Sequence, residues 1–139
     1  MFSSTFRGGI HPPQNKLTAG VPFENLPVPH ICRIPLQQHT GKPAIPIVKK
    51  DDLVTEGQLI AKADGFVSSD VHATVPGRVI DIGFYPTPYS PKGLCVVIEA
   101  EGSFAAAVNR EPADTASLAP AEIITLIGNA GIVGLGGAA

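Results

Sequence analysis

The chain has 139 residues, a formal charge of −2 and ten basic residues that are scattered along its length. A chain of this size forms one domain with an extension, since its core already buries roughly two thirds of the unfolded surface. The scattered charge argues against nucleic acid as a partner, and the absence of an apolar run near the roughly 20 residues that cross a bilayer argues against direct membrane insertion.

Residues 1–30 are predicted to form an extended, proline-rich arm. Eight of the fourteen prolines precede residue 47, and the first thirty residues have neither a helical nor an alternating apolar period. The N-terminus also lacks the charged-then-apolar layout of a signal peptide, so we expect a cytoplasmic protein. An arm with little core of its own becomes ordered only against another surface.

Residues 31–100 are predicted to form a small, mostly β barrel or sandwich. Short runs rich in Val and Ile alternate here with Gly, Pro and Asp, which is typical of such folds. The first run contains Pro35 and is therefore predicted to be an edge strand. The segment 83–91, rich in proline and aromatic residues, is predicted to be a loop. The predicted strands are residues 31–36, 44–48, 58–61, 71–75, 77–82 and 94–99.

The order of residues 44–98 is that of the β-hairpin barrels that carry lipoic acid or biotin, but the modified lysine is missing. In those carriers a Gly-Gln pair leads into a strand, and the following tight turn presents the lysine. Counting from Gln58 places that turn at Phe66 and Val67, which cannot form the tethering amide. Lys62 falls about four residues early, or about 13 Å along a strand. Phe66 is then either folded over the barrel mouth or an anchor for a protein neighbour.

Residues 101–119 are predicted to be a linker, and residues 120–139 a helix with a glycine-rich loop. Pro120 suits the first turn of a helix, and Glu122 complements the positive N-terminal end of the helix dipole. The helix carries an apolar face up to Ala130 and has little to bury it against. We therefore expect the chain to be part of a longer protein.

The glycines at the C-terminal end are candidates for a cofactor loop. Gly134, Gly136 and Gly137 would let a phosphate group approach backbone N–H groups. However, dinucleotide loops precede a helix, whereas these glycines follow one. The alternative is a helix C-terminal cap with an irregular end.

The remaining reactive residues do not indicate a catalytic or metal site. The two cysteines, Cys32 and Cys95, are too far apart for a metal knuckle and are predicted to pack in or near strands. His39 is predicted to hydrogen-bond to backbone in a polar turn, and His72 is only loosely spaced with Asp70 for a metal. No Ser, Cys or Lys nucleophile has a base beside it.

Several of these segments together resemble the RnfC family, the C subunits of Rnf electron-transport complexes. The resemblance spans the whole chain and is carried by residues 6–13 (FRGGIHPP), Lys16, residues 26–27 (LP), 34–41 (IPLQQHTG), 43–44 (PA) and 130–137 (AGIVGLGG). It implies an N-terminal barrel-sandwich hybrid domain, related to lipoyl and biotinyl domains, in a peripheral subunit. That subunit belongs to a membrane-bound, ion-translocating ferredoxin:NAD oxidoreductase and lies on the cytoplasmic side of the cell membrane.

The resemblance also implies cofactors for the full-length parent. Members of the family continue into a domain that binds FMN and NADH, whose loop begins like Gly134, Gly136 and Gly137, and then into a segment holding two [4Fe–4S] clusters. Cys32 and Cys95 match none of the cluster ligands, so we expect no cofactor in this chain. The implied partners are the other subunits of the complex.

Three alternatives stay open at this point. The chain could be a lipoyl or biotinyl carrier module, although it lacks the lysine. It could be the related A-type subunit of the sodium-pumping NADH:quinone reductase, which is not expected to share the GGIHPP opening. A stand-alone enzyme is the weakest hypothesis, because no acid, base or nucleophile is positioned.

Overall fold

The computed structural model of the protein describes residues 13, 15–24, 27–101 and 115–134. Most of the regular structure in this part is β, as the sequence predicts. The elements are β1 (Ile31–Pro35), β2 (Ile45–Pro46), β3 (Leu53–Val54), β4 (Leu59–Lys62), β5 (Val71–His72), β6 (Gly77–Thr87), β7 (Ser90–Ala100), a 3₁₀ turn (Thr115–Ser117) and α1 (Pro120–Asn129).

The strands form two antiparallel sheets around one core. The larger sheet has the order β1-β7-β6-β3, and the smaller has the order β2-β4-β5. Side chains from both sheets meet in a single apolar cluster, which is the arrangement of a sandwich. Its members include Ile34, Val54, Ile60, Val71, Val79, Val96 and Ile98.

Strand β7 is the centre of the larger sheet and is buried on both faces. Val96 and Ile98 belong to the core cluster. Cys95 and Val97 alternate with them and are also buried, although they lie outside that cluster. The predicted packing of Cys95 as a small buried residue is therefore confirmed. Cys32 lies on the edge strand β1, opposite Ile98.

The segment 83–91 is not the predicted loop, because β6 and β7 continue through it as a long two-stranded ribbon. The strands are joined at Pro88 and Tyr89, and the Thr87 hydroxyl accepts the N–H groups of Tyr89 and Ser90 at 3.3 and 3.0 Å. A register shift between Tyr85 and Thr87 accommodates the approach to the turn. The prediction was wrong because prolines are tolerated in strand segments whose outer edge is unpaired.

The other strands differ from the prediction mainly in length. Observed β2 and β5 have two residues each, and β3, which was not predicted, also has two. Strand β1 lies at the edge of its sheet, as Pro35 predicts. Such short strands give too few alternating positions for a period to be recognised.

The predicted helix is confirmed as α1, with Pro120 in its first turn. The Glu122 carboxylate accepts the Ala119 N–H at 2.7 Å, which is half of a capping box, since Ala119 has no side-chain acceptor. The helix has ten residues, none of them buried. No helix in the described part of the chain is long and apolar enough to cross a membrane.

The predicted arm and linker fall partly outside the described residues. The arm residues 1–12, 14, 25 and 26 and the linker residues 102–114 are among those not described. In the described part of the arm, residues 15–24 are exposed and form a turn in which Ala19 N–H donates to the Lys16 carbonyl at 3.1 Å.

Candidate functional site

The connection between β4 and β5, residues 63–70, is the turn at which carrier domains present their lysine. The two strands pair antiparallel, and Phe66 and Val67 lie in the middle of the connection. The predicted position of the turn is therefore confirmed. Phe66 is fully exposed and Val67 is partly exposed, so the alternative in which Phe66 folds over the barrel mouth is wrong.

The lysine nearest to this turn is held in an ion pair. Lys62 Nζ lies 2.7 Å from Asp70 Oδ2, and the other oxygen of Asp70 accepts the Ala63 N–H at 2.9 Å. Asp70 is only 5% exposed. One buried carboxylate therefore closes the base of the turn and binds the lysine that precedes it.

The pKa of Asp70 lies below its ordinary value. Burial alone would raise this pKa, but the hydrogen bonds from Lys62 and the Ala63 N–H, with the positive charges of Lys62 and His72, outweigh burial. The carboxylate is thus ionised at neutral pH. From the sequence, Asp70 was only a loose metal-ligand candidate, and this role was missed because the eight-residue spacing to Lys62 gives no local signal.

The turn is also attached to the segment 41–42. The Val67 carbonyl accepts the Lys42 N–H at 3.0 Å, and the Ser68 hydroxyl donates to the Lys42 carbonyl at 3.0 Å. Ser68 also accepts the Asp64 N–H at 3.0 Å. These bonds give the exposed turn a defined conformation, so that Phe66 is presented from an ordered support.

The residues after α1 lie against β5. Gly131 has a φ of +71°, and a Cβ added to it would be 2.6 Å from the Asp70 carbonyl oxygen and 3.2 Å from His72 Nδ1. Only glycine allows this approach. The apolar face of α1 is left open, with Ile124 70% exposed.

An open groove of about 420 Å³ lies between the β4–β5 turn and the end of α1. We call it the turn–helix groove; its lining includes His39, Phe66, Ser69, Ile124, Ile127 and Gly134. It was not predicted from the sequence, because its two walls are some sixty residues apart in the chain. The predicted backbone contact of His39 is confirmed, with Nδ1 lying 2.7 Å from the Thr40 carbonyl oxygen.

Of the predicted cofactor glycines, Gly134 lies in the groove, whereas Gly136 and Gly137 lie outside the described residues. None of the groove's described lining residues carries a lysine or arginine side chain. The described part of the groove thus offers a phosphate group no side-chain cation.

The cysteines do not match an iron–sulfur cluster. A [4Fe–4S] cluster is usually held by four thiolates, whereas the chain has two cysteines. Cys95 is fully buried, and burial raises the pKa of its thiol, with Arg33 opposing by a smaller amount. Among the described residues no group of three His, Cys, Asp or Glu side chains is placed to hold a metal ion.

The fold and the turn together define a domain of the lipoyl and biotinyl type in which an aromatic residue stands near the carrier lysine position. A family profile described as "RnfC Barrel sandwich hybrid domain" matches residues 4–103. The chain belongs to this RnfC family, which confirms both the predicted family and the predicted barrel-sandwich hybrid. The alternative, an A-type subunit of the sodium-pumping NADH:quinone reductase, is therefore wrong.

Curated relatives give the same family. The chain is 44% identical over 137 residues to the C subunit of the "Proton-translocating ferredoxin:NAD(+) oxidoreductase complex" of Clostridium ljungdahlii, covering 96% of this chain and 30% of the relative. It is 44% identical over 140 residues to the C subunit of the "Ion-translocating oxidoreductase complex" of Rhodobacter capsulatus, covering 98% and 27%. It is 43% identical over 136 residues to the C subunit of the "Na(+)-translocating ferredoxin:NAD(+) oxidoreductase complex" of Acetobacterium woodii, covering 96% and 31%. The chain thus spans less than a third of the length of these relatives.

Proposed function

We propose that this chain is the non-catalytic scaffold and docking domain of the peripheral RnfC-type subunit in an ion-translocating ferredoxin:NAD oxidoreductase. The observation that carries the proposal is the β4–β5 turn, which offers the exposed Phe66 near the carrier lysine position. Exposed aromatic side chains on ordered supports are frequent anchors of protein interfaces. The ion pair between Lys62 and Asp70 removes the nearest lysine from any carrier role.

In this proposal the domain carries no electrons. FMN, NADH and the two [4Fe–4S] clusters would be bound by other regions of the full-length protein, on the cytoplasmic side of the membrane. The domain would position those regions against neighbouring subunits of the complex. The names of the relatives, which are subunits of such complexes, support this placement.

The test uses the full-length protein expressed with the rest of its complex. Phe66→Ser should lower the amount of this protein that co-purifies with the other subunits. The free energy of unfolding of the 139-residue chain should stay within about 0.5 kcal/mol of the original value. Phe84→Ser, at an exposed aromatic residue of the β6–β7 ribbon, is the matched control. Equal co-purification of the Phe66 variant and the original protein would contradict a docking role for the turn.

A separate measurement addresses the carrier alternative. The chain should keep its unmodified intact mass after co-expression with lipoate and biotin ligases, because the turn offers no free lysine at the required position. An added cofactor mass would reject the scaffold proposal in favour of a carrier.

A further inference from the structure

The turn–helix groove is bordered on both sides by large apolar side chains that are exposed to solvent. On the side of the β4–β5 turn, Phe66 is fully exposed and Val67 is 54% exposed. On the helix side, Ile124, Ile127 and Ile132 are 70%, 45% and 62% exposed. None of the described lining residues is Asp, Glu, Lys or Arg. An uncharged, largely apolar surface of this kind is typical of an interface with another folded region.

The helix wall of the groove lies outside the barrel domain. The match to the family profile ends at residue 103, whereas α1 begins at Pro120. The barrel supports the residues after α1, through the approach of Gly131 to β5, but no residue of α1 itself is buried. A helix of ten residues is only marginally stable in water without tertiary packing. The apolar face of α1 therefore needs a packing partner from beyond the described residues.

The position of the groove along the chain indicates where that partner comes from. Gly134 lines the groove, and only the five residues 135–139 follow it in this chain. Five residues span at most about 18 Å. A region that follows Ala139 in the full-length protein would therefore begin close to the groove, at an effective concentration in the millimolar range. A second copy or a separate subunit has no such tether. The chain spans less than a third of its relatives, which are long enough to carry such a region.

We propose that the turn–helix groove is occupied by the region of the same polypeptide that follows Ala139. That region packs an uncharged, apolar surface against Phe66 on one wall and against Ile124 and Ile127 on the other. The groove thereby joins the barrel domain to the region that follows it. The inference rests on the proposed function, because it takes the Phe66 turn as a docking element. It deepens that function by naming the partner as a region of the same chain.

Amide hydrogen exchange in three samples tests the proposal. The samples are the 139-residue chain, the full-length protein expressed without other subunits, and the assembled complex. Exchange in residues 63–70 and 120–131 should be at least about tenfold slower in the isolated full-length protein than in the 139-residue chain. Assembly of the complex should add little to that protection. Strand β7 is the internal reference and should exchange at the same rate in all three samples, because its central residues are already buried.

Two variants of the full-length protein, one from each wall, test whether one occupant protects both walls. Phe66→Ser should accelerate exchange in residues 120–131, and Ile124→Asp should accelerate exchange in residues 63–70, each by at least about threefold. In the 139-residue chain each variant should leave the exchange of the opposite wall unchanged, because both side chains are exposed there. Phe66→Ser changes the barrel alone, so its effect on α1 does not depend on whether the following region tolerates a substitution.

The matched controls place similar substitutions outside the groove. Phe84→Ser changes an exposed aromatic residue of the β6–β7 ribbon. Asn129→Asp adds a negative charge at an exposed residue of α1. Neither residue lines the groove. Both variants should leave the protection of residues 63–70 and 120–131 in the full-length protein unchanged.

The contrary results differ in what they overturn. Protection in the assembled complex but not in the isolated full-length protein would replace the proposed occupant by a neighbouring subunit and leave the docking function intact. Protection of the 139-residue chain that rises with its concentration would indicate a second copy. Protection of residues 120–131 without residues 63–70 would show that the following region packs on α1 away from the turn. Absence of protection in all three samples would contradict both the inference and the docking role of the turn.

Discussion

Gly41 lies directly against the carbonyl group of Val67, so that a Cβ added to Gly41 would be 2.3 Å from the Val67 oxygen. The φ of Gly41 is +112°, in the region that favours glycine. The contact joins the segment before β2 to the exposed turn. It leaves no room for any side chain at position 41.

Gly41→Ala should therefore lower the free energy of unfolding by roughly 2–5 kcal/mol, because it combines a positive φ with a clash against backbone. Gly65→Ala is the matched control: Gly65 has a φ of +99° but no atom within 4 Å of an added Cβ. That control should cost only about 1–2 kcal/mol. Urea unfolding of the two variants measures the difference, and equal losses would contradict the close approach.

Asp70→Asn should make the free energy of unfolding depend less on pH in the acid range. The folded pKa of Asp70 is lowered, so its contribution is present above the unfolded pKa of about 3.9 and is lost as pH falls through the folded value. The variant should be about 1–3 kcal/mol less stable at pH 7. The difference in stability between the variant and the original chain should begin to shrink as pH falls below about 4.

Asp64→Asn is the control for this experiment. Asp64 pairs with Lys42 over 3.6 Å with both side chains substantially exposed, and such pairs contribute less than about 1 kcal/mol. A stability–pH profile of Asp70→Asn that stays parallel to that of the original chain would show that the ion pair of Asp70 with Lys62 contributes nothing.

Gly131→Ala should displace the residues that follow α1 from β5 without unfolding the domain. The added Cβ would meet the Asp70 carbonyl at 2.6 Å, while α1 itself buries no residue. Amide hydrogen exchange in residues 120–131 should accelerate, whereas β7 amides should keep their protection. Gly128→Ala, which meets no atom within 4 Å, should instead slow exchange in α1, because alanine favours a helix by up to about 1 kcal/mol.

Cys95 should react with thiol reagents much more slowly than the same residue in unfolded chain. The residue is fully buried, and burial raises the pKa of its thiol, which lowers the fraction of reactive thiolate. In the Cys32→Ser variant, Cys95 is the one remaining cysteine. The rate at which it reacts with the reagent at pH 8 should be at least about tenfold lower in the folded chain than in denaturant. In the Cys95→Ser variant, the remaining Cys32 should react faster than Cys95 does in the folded Cys32→Ser variant, since Cys32 is only half-buried.

Local patterns in the sequence predicted those parts of the fold that they specify. The Val- and Ile-rich runs indicated the sheets, Pro120 and Glu122 indicated α1, and the Gly57-Gln58 pair located the turn at Phe66. The continuation of β6 and β7 through residues 83–91 was missed because prolines are typical of loops. Prolines are nevertheless compatible with strands that have an unpaired side.

The candidate site was less predictable, because it depends on contacts between distant segments. Ser69 looks like an ordinary turn serine until the structure shows its hydroxyl buried with no hydrogen-bond partner among the described residues. Gly131 looks like a helix cap, and only its approach to Asp70 shows that it also holds the helix end against β5. Neither relationship has a local sequence signal.

The β6–β7 ribbon has a consequence for the behaviour of the protein at high concentration. Beyond the short pairing with β3 and β1, no other strand in the described part of the chain pairs with its two outer sides. Unpaired strand edges can recruit strands from other molecules and lead to aggregation. Pro86 and Pro91 have no N–H group to offer an incoming strand. The ribbon can therefore extend from the sheet while resisting edge-to-edge polymerisation.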